Sequence, residues 1–519
     1  MLINTPPCIS TLVRAGAFIL FLFTCSWYFL PQKYEAAPTF RSLSPPFKNL
    51  TETRSSFNAS VVDFWQDLAS ALLKAKPQCE PLQVKDEHVH YSEAGSDPLD
   101  SDSQPPQRLL NFTDEDETAL LRAHYAMRTS AQRLADRVPF LPDTTGIVTS
   151  ANAEYMPVLL VSLRMLRRLG CHLPVEVFID DWPTYDASTC EIVLPSLDAH
   201  CIVLSEIYSQ NRTVRTLEHY QYKILAILFS KFQNVLFLDS DVFPVYDPTV
   251  LFSIPPFTTH SLVTWPDSFA LTTSLHFHHV AGISPEPVST RLSTDSGQVM
   301  LNKHIQRESL LMMVYYNYFG PEYFYPLLCQ GSQGAGDKET FVQAARAVSA
   351  PWYQVRTAPV SLGRWWNGTY RGVGIAQADA GLDYDYLAPV PSHIHPAAQW
   401  QKQDVAHPNA DVEKKLNITR HVPRAPRPVF VHQNTLKMDP GKVLLDTSDV
   451  TFAPEGTKQR MWGIHEDTER ILGYDVEDRL WYVVAEEACR VDQESEMCKR
   501  VRAYVGEVFG WMESKPRPW

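Results

Sequence analysis

The sequence predicts an α/β fold, a mainly parallel sheet covered by helices. Two observations carry this expectation. From Gly146 onward, short apolar runs alternate with amphipathic stretches at strand–helix spacing. The composition, 45% apolar and 20% charged over 519 residues, also supplies enough apolar surface for a sizeable core. That balance excludes a wholly disordered chain and a many-span membrane protein. A formal charge of −13 argues against a nucleic-acid partner, which would need a basic face.

Residues 1–14 are expected to form a cytosolic tail. Between Arg14 and Lys33 there is no charge, and AGAFILFLFTCSWYFL lies within that stretch. Its length is near the minimum for spanning ~30 Å of hydrocarbon. Residues 15–32 are therefore expected to be an uncleaved signal-anchor that places the rest of the chain in the secretory lumen. Six Asn-x-Ser/Thr acceptors fit that address: Asn49, Asn58, Asn111, Asn211, Asn367 and Asn417, each expected on an exposed loop. Chance at this composition gives about 1.8 such patterns. Of nine cysteines, Cys8 and Cys25 fall in the tail and anchor, leaving an odd number beyond them. Cys190 lies close enough in sequence to Cys201, and Cys489 to Cys498, to bridge.

Residues 33–112, rich in proline and serine, are expected to be a lumenal stem interrupted by an amphipathic stretch from Ser60 to Lys76. A helix should open at Thr113, where T-D-E-D forms a capping box. Its apolar stripe is Leu120, His124, Met127, Ala131, Leu134 and Val138. The catalytic region is placed at 113–519, with its core at 144–485. Within it GIVTSA, PVEVFID, CIVLSEI and NVLFLDSD read as strands, and YMPVLLVSLRMLRRLG and YQYKILAILFSKF as helices. Ligands of such sheets bind at the carboxyl ends of strands, which here means TSANAEY and Asp239-Ser240-Asp241.

An apolar strand delivering Asp239 and Asp241 to a sheet rim could hold a divalent cation through oxygen ligands, Mg²⁺ or Mn²⁺. The plain alternative is a turn, which Asp also favours. A hydrolase of the haloacid dehalogenase type, with the first Asp as nucleophile, uses the same tripeptide, but its strand usually opens the domain.

YKILAILFSKFQNVLFLDSDVFPVYDPTVLF resembles the fungal Golgi α-mannosyltransferases of glycosyltransferase family 71. The resemblance continues through WPDSF, DSGQVMLNK, YYNYFGPEYFYPLLCQGSQGAGDKETF, PWYQV and FVHQNTLKMDP. The GDKETF and YYNY segments are closer to the α-1,2 branch-initiating members than to the α-1,3 members. The resemblance implies a GT-A type domain with a Rossmann-like mixed sheet. It also implies a type II Golgi membrane enzyme that transfers mannose from GDP-mannose to mannan or N-glycan outer chains, with Mn²⁺ and retention of configuration, and with other mannosyltransferase subunits as partners. Asp239, Asp241 and His432 would be the metal ligands, and Lys437 would face the diphosphate. Lys223 would contact the donor or the adjacent carboxylates, unless it is a solvated helix charge. Thr149, Ser150 and Tyr155 would hold the nucleoside, with Tyr155 stacking on guanine or simply opening a helix. Asp337 and Glu339 are candidates near the reacting sugar, although Asp337 could instead cap the following helix. Trp265, Asp267 and Gln298 are candidates for the acceptor site, although a tryptophan among apolar residues is more often core. The competing readings are a lumenal partner subunit without turnover and a transferase using another nucleotide sugar.

Overall fold

The computed structural model describes residues 50–85, 109–211, 215–218, 220–287, 290–332, 334–387, 426–445 and 450–510. The tail, the expected anchor, Asn49 and Asn417 lie outside the described residues. Among the described residues no helix is long and apolar enough to cross a membrane.

The first described helix, α1 (Leu50–Lys74), differs from the expected stem. Phe64, Trp65, Leu68 and Leu72 form a stripe at helical spacing that is buried in the core of the compact unit. Trp65 stacks on Tyr208 at 5.1 Å and donates its indole N–H to the Tyr208 carbonyl at 3.0 Å. Helix α2 (Asp114–Leu134) begins at Thr113, with the capping box closed reciprocally by Asp116. All six residues of its expected stripe are buried, and the one polar member, His124, meets the Tyr316 hydroxyl at 2.8 Å.

The central unit runs β1 (Leu141–Ser150), α3 (Met156–Arg168), β2 (Val175–Ile179), β3 (Ala199–Val203), α4 (Gln221–Phe229) and β4 (Phe232–Leu238). These elements match the alternation read from the sequence. The chain then adds β5 (Val242–Pro244), β6 (Leu262–Ala270) and β7 (Leu292–Asn302). Helices α5 (Arg307–Tyr318) and α6 (Thr340–Ala347) follow, then β8 (Tyr353–Gln354), β9 (Val360–Trp366), β10 (Thr369–Ala378) and β11 (Pro428–His432). Helices α7 (Val476–Cys489) and α8 (Glu496–Phe509) close the described chain.

The main sheet has the order β8-β6-β7-β4-β1-β2-β3. Strands β4, β1, β2 and β3 are parallel, while β7 runs antiparallel to both of its neighbours, so the sheet is mixed. Burial on both faces explains why β4 reads as a nearly unbroken apolar run. A second, antiparallel sheet, β9-β10-β11-β5, stands against it. Its β5 follows Asp241 immediately, and this is how the two sheets share one site.

Both proposed disulfides are present, Cys190–Cys201 and Cys489–Cys498, the second joining α7 to α8. Cys79, Cys171 and Cys329 are unbridged. Asn367 is exposed at the β9–β10 turn, where Asn367 and Gly368 both take positive φ, the Asn-Gly pattern of a tight hairpin. Asn111 is exposed in a two-residue strand, and Asn211 is half-buried in a turn. Asn58 departs from the loop expectation, because it is exposed on helix α1.

Candidate active site

The carboxyl ends of β1 and β4 open into a cleft of about 630 Å³. After β4 the chain turns sharply. Asp239 donates its N–H to the Gly297 carbonyl at 2.8 Å, and Val242 closes the turn onto the Asp239 carbonyl at 3.0 Å. Ser240 points the other way. Its hydroxyl donates to Ser150 O at 2.8 Å, and its own carbonyl accepts from Ser162 on α3 at 2.7 Å. The flanking carboxylates are thereby left facing the cleft.

His432 comes to them through β pairing. It lies opposite Val242 in the β11–β5 register, and Gln433 N–H donates to Asp241 O at 2.9 Å. One residue past the second Asp, the chain is therefore locked beside the end of β11. Asp239, Asp241 and His432 each offer one ligand atom, and these atoms lie within 4.8 Å of one another. Two carboxylates and an imidazole form an oxygen-rich donor set with one nitrogen, which fits a divalent cation such as Mn²⁺ better than Ca²⁺.

Asp295 on β7, which the sequence reading did not single out, fixes that imidazole. His432 Nδ1 lies 3.1 and 3.2 Å from its two oxygens. A carboxylate only accepts, so Nδ1 carries the proton and Nε2 is turned to Asp241 Oδ1, 3.5 Å away. Asp295 is itself held by Gln298 at 2.9 Å, Gln377 at 2.8 Å and the Gly297 N–H at 3.0 Å. Gly297 has a steric role as well, since a Cβ there would lie 2.7 Å from the His432 ring. The signal available in the sequence was Asp-Ser-Gly inside LSTDSGQVMLN: a carboxylate within a strand that otherwise reads as buried must have partners.

Burial works against ionising Asp241 and Asp295, but His432 overrides it and holds both carboxyls well below the usual range, with Lys437 adding to the effect at Asp241. Burial likewise disfavours charge on His432, yet Asp295 and Asp241 together push its pKa well above the ordinary imidazole value. Lys437 is paired with Asp241 Oδ2 and donates to Asn434 O at 2.9 Å.

On the other side of the cleft, the buried Lys223 donates to Asp239 Oδ2 at 3.0 Å and Ser296 O at 2.8 Å and forms an ion pair with Asp337 Oδ2 at 3.1 Å. Lys223 is thus a buried bridge between carboxylates, not a solvated charge. Burial pushes the Asp239 carboxyl up to about 6, against the attraction of Lys223. Asp337 also accepts from the Ser296 hydroxyl at 2.8 Å, so its carboxylate serves the cleft while its backbone carbonyl, not its side chain, receives Thr340 N–H at the start of α6.

Ser150, Tyr155 and Asp267 line the cleft as expected. Asp267 sits 3.6 Å from Lys338, and its carboxyl is raised to about 6 by burial, which Lys338 opposes. Four other candidates lie elsewhere. Thr149 is buried in β1 one residue short of the rim. Glu339 faces away from the cleft, where it pairs with Arg291 at 2.6 Å and accepts Thr294 N–H at 2.8 Å, a fully buried ion pair that anchors β7 to α6. Trp265 is core, its indole N–H on Ala378 O at 2.8 Å and its ring edge-on to Phe430. Gln298 is wholly buried and supports Asp295 instead of meeting an acceptor.

A family model described as "Mannosyltransferase putative" matches residues 144–293 and 287–379. Alpha-1,2-mannosyltransferase MNN21 of Candida albicans is 30% identical over 474 residues, covering 81% of this chain and 69% of that protein. MNN24 of the same organism is 32% identical over 64% of this chain and 52% of that protein. MNN2 of Saccharomyces cerevisiae is 28% identical over 71% of this chain and 70% of that protein. The chain therefore spans about half to 70% of the length of these relatives. Among solved structures, the galactosyltransferase LgtC with donor and acceptor sugar analogues aligns over 41% of this chain and 74% of that chain at 13% identity. Its TM-score of 0.28 is too low to carry an argument. On the identity and coverage of its relatives, the chain belongs to the family of fungal α-1,2-mannosyltransferases.

Proposed function

We propose that the protein transfers an α-mannosyl residue from GDP-mannose to a mannose hydroxyl of mannan or N-glycan outer chains. It forms an α-1,2 bond with retention of configuration, acting as a type II enzyme of the Golgi membrane with a GT-A type domain. The observation that carries this reading is the convergence of Asp239, Asp241 and His432 at the rim of the mixed sheet, with Lys437 beside them. The cation these residues would hold, Mn²⁺, supplies positive charge against the leaving diphosphate.

The remaining roles belong to the chain itself. Lys437 offers an ammonium to the diphosphate as its charge develops. Ser150 and Tyr155 border the part of the cleft that receives the nucleoside. Asp337, locked by Lys223 and Ser296, presents a carboxylate to the donor mannose. In a retaining transfer the new bond forms on the face that the diphosphate leaves, so the departing phosphate takes the acceptor proton.

The test is GDP release from GDP-mannose with mannobiose as acceptor, followed by linkage analysis of the product. Transfer is expected to vanish with EDTA and to return with Mn²⁺. Transfer that survives chelation would remove the cation from the account. Metal-dependent phosphate release without any acceptor would favour a hydrolase, and faster turnover of a UDP-sugar would change the donor.

Asp295 should reveal itself through metal affinity. Replacing a partner that orients a ligating histidine typically weakens binding by about 10–100-fold. Asp295→Asn is expected to do so in a calorimetric Mn²⁺ titration while the protein still unfolds cooperatively. Unchanged affinity would separate Asp295 from the metal site.

A further inference from the structure

The β9–β10 hairpin carries two adjacent tryptophans with opposite fates. Trp366 packs inward and donates its indole N–H to Phe452 O at 3.1 Å, on the face where Arg364 reaches Arg460 O at 2.8 Å. Trp365 is 69% exposed and touches its cross-strand partner Tyr370, with ring centroids 5.7 Å apart.

The face on which they stand leads into the cleft. Ile375, which lines the cleft, is paired with His432 on one side and with Ser361 on the other. Ser361 and Tyr370 share a face, because a Cβ on Gly372 would meet Ser361 Oγ at 3.1 Å and the Tyr370 ring at 3.7 Å. The Tyr370 ring therefore lies down over a strip without side chains, Gly372 beside its strand partner Gly363, and its hydroxyl donates to Ser361 O at 3.2 Å. From Ile375 to Tyr370 the strand runs five residues, roughly 16 Å at about 3.3 Å per residue. The surface thus comprises a cleft wall, a glycine strip beside the register shift after Leu362 that the Tyr370 ring covers, and an exposed aromatic pair at its outer end.

Aromatic rings match the C–H faces of pyranoses, and a tryptophan 69% exposed beside a tyrosine ring presents such a surface to a neutral sugar chain. We propose that Trp365 and Tyr370 form a binding platform for the non-reacting sugar units of an oligomannoside acceptor. The chain would lie along β9–β10 with its reacting end in the cleft. The direction of approach rests on the transferase reading above, whereas the platform itself is a carbohydrate-binding surface that can be measured without turnover.

The experiment compares the full chain with its Trp365→Ala variant, using mannobiose and a linear α-mannohexaose as probes. Loss of an aromatic anchor from a binding surface costs about tenfold. Hexaose binding by calorimetry and the KM for hexaose are expected to weaken by that factor, with kcat/KM for mannobiose unchanged and Trp365→Phe recovering part of the loss. Equal hexaose affinity in wild type and Trp365→Ala would overturn the platform. So would an equal loss on mannobiose, which would signal structural damage. Hexaose binding that appears only in Thr369→Ala, which removes the Asn367 acceptor pattern, would assign the surface to the chain's own glycan and also overturn the proposal. Absence of turnover on either probe by the wild type would instead defeat the transferase reading, and the calorimetric comparison would still decide the platform.

Discussion

Asp241→Asn should reduce sugar transfer by about 10³-fold, the scale expected when a preorganised charge is removed from a reacting centre. The substitution preserves size and keeps the backbone carbonyl that receives Gln433 N–H at 2.9 Å, so β5 and β11 should stay paired. What it deletes is the negative charge on which His432 and Lys437 both converge. Without it the metal-site triad would keep one carboxylate, Asp239, which is already engaged by Lys223, and the Lys437 ammonium would lose its carboxylate partner. Initial rates of GDP release at saturating GDP-mannose, together with a thermal melt to show an intact fold, check the result. A variant that keeps a tenth of the activity would mean that the carboxylates organise the turn without contributing to the reaction.

The half of this site that lies close in sequence could be read from it, and the half that lies far away could not. The Asp-Ser-Asp triplet announces itself because the apolar run of β4 can end on two carboxylates only at a rim. The alternation from β1 to β4 is written locally, in strand and helix periods that need no knowledge of the partner. His432 carried no such local mark. Its place depends on β11 pairing with β5 across about 190 positions, and only the resemblance to known transferases pointed to it. Asp295 and Gly297 were hidden for the same reason: their meaning is the contact with that distant imidazole. Distance in sequence hides other contacts too. The stripe of α1 reads as an isolated amphipathic stretch because Tyr208 and Phe229, which cover Trp65, lie more than 140 positions away. Trp265 and Gln298 have residue types suited to sugar binding, but burial commits them to the core. In GDKETF the two acids diverge because one stands before the first turn of α6 and faces the cleft, while the other turns toward Arg291.

Lys223→Met is expected to be the most destabilising change in the cleft, and its cost should depend on pH. Lys223 is buried and stands within 3.1 Å of carboxylate oxygens from both Asp239 and Asp337. Removing one partner of a buried ion pair costs about 3–5 kcal/mol, because the charges left behind have lost both water and counter-ion. Here two acids remain, facing each other. Burial already raises the Asp239 carboxyl to about 6 with the lysine present, and losing the lysine must raise it further. In the variant, the folded state then binds a proton that the unfolded chain, with its ordinary carboxyl, has released. Stability must therefore fall as pH rises through that interval and recover on acidification, until the unfolded carboxyl is protonated as well. Urea denaturation in EDTA at pH 5 and pH 7.5 should show the deficit relative to wild type growing at the higher pH. Adding Asp337→Asn should reduce that growth, since one of the like charges near Asp239 is removed while Asp241 stays, yet it should not restore transfer. A deficit equal at the two pH values would mean that Lys223 acts through the packing of its stem, and the electrostatic link between Asp239 and Asp337 would have to be abandoned.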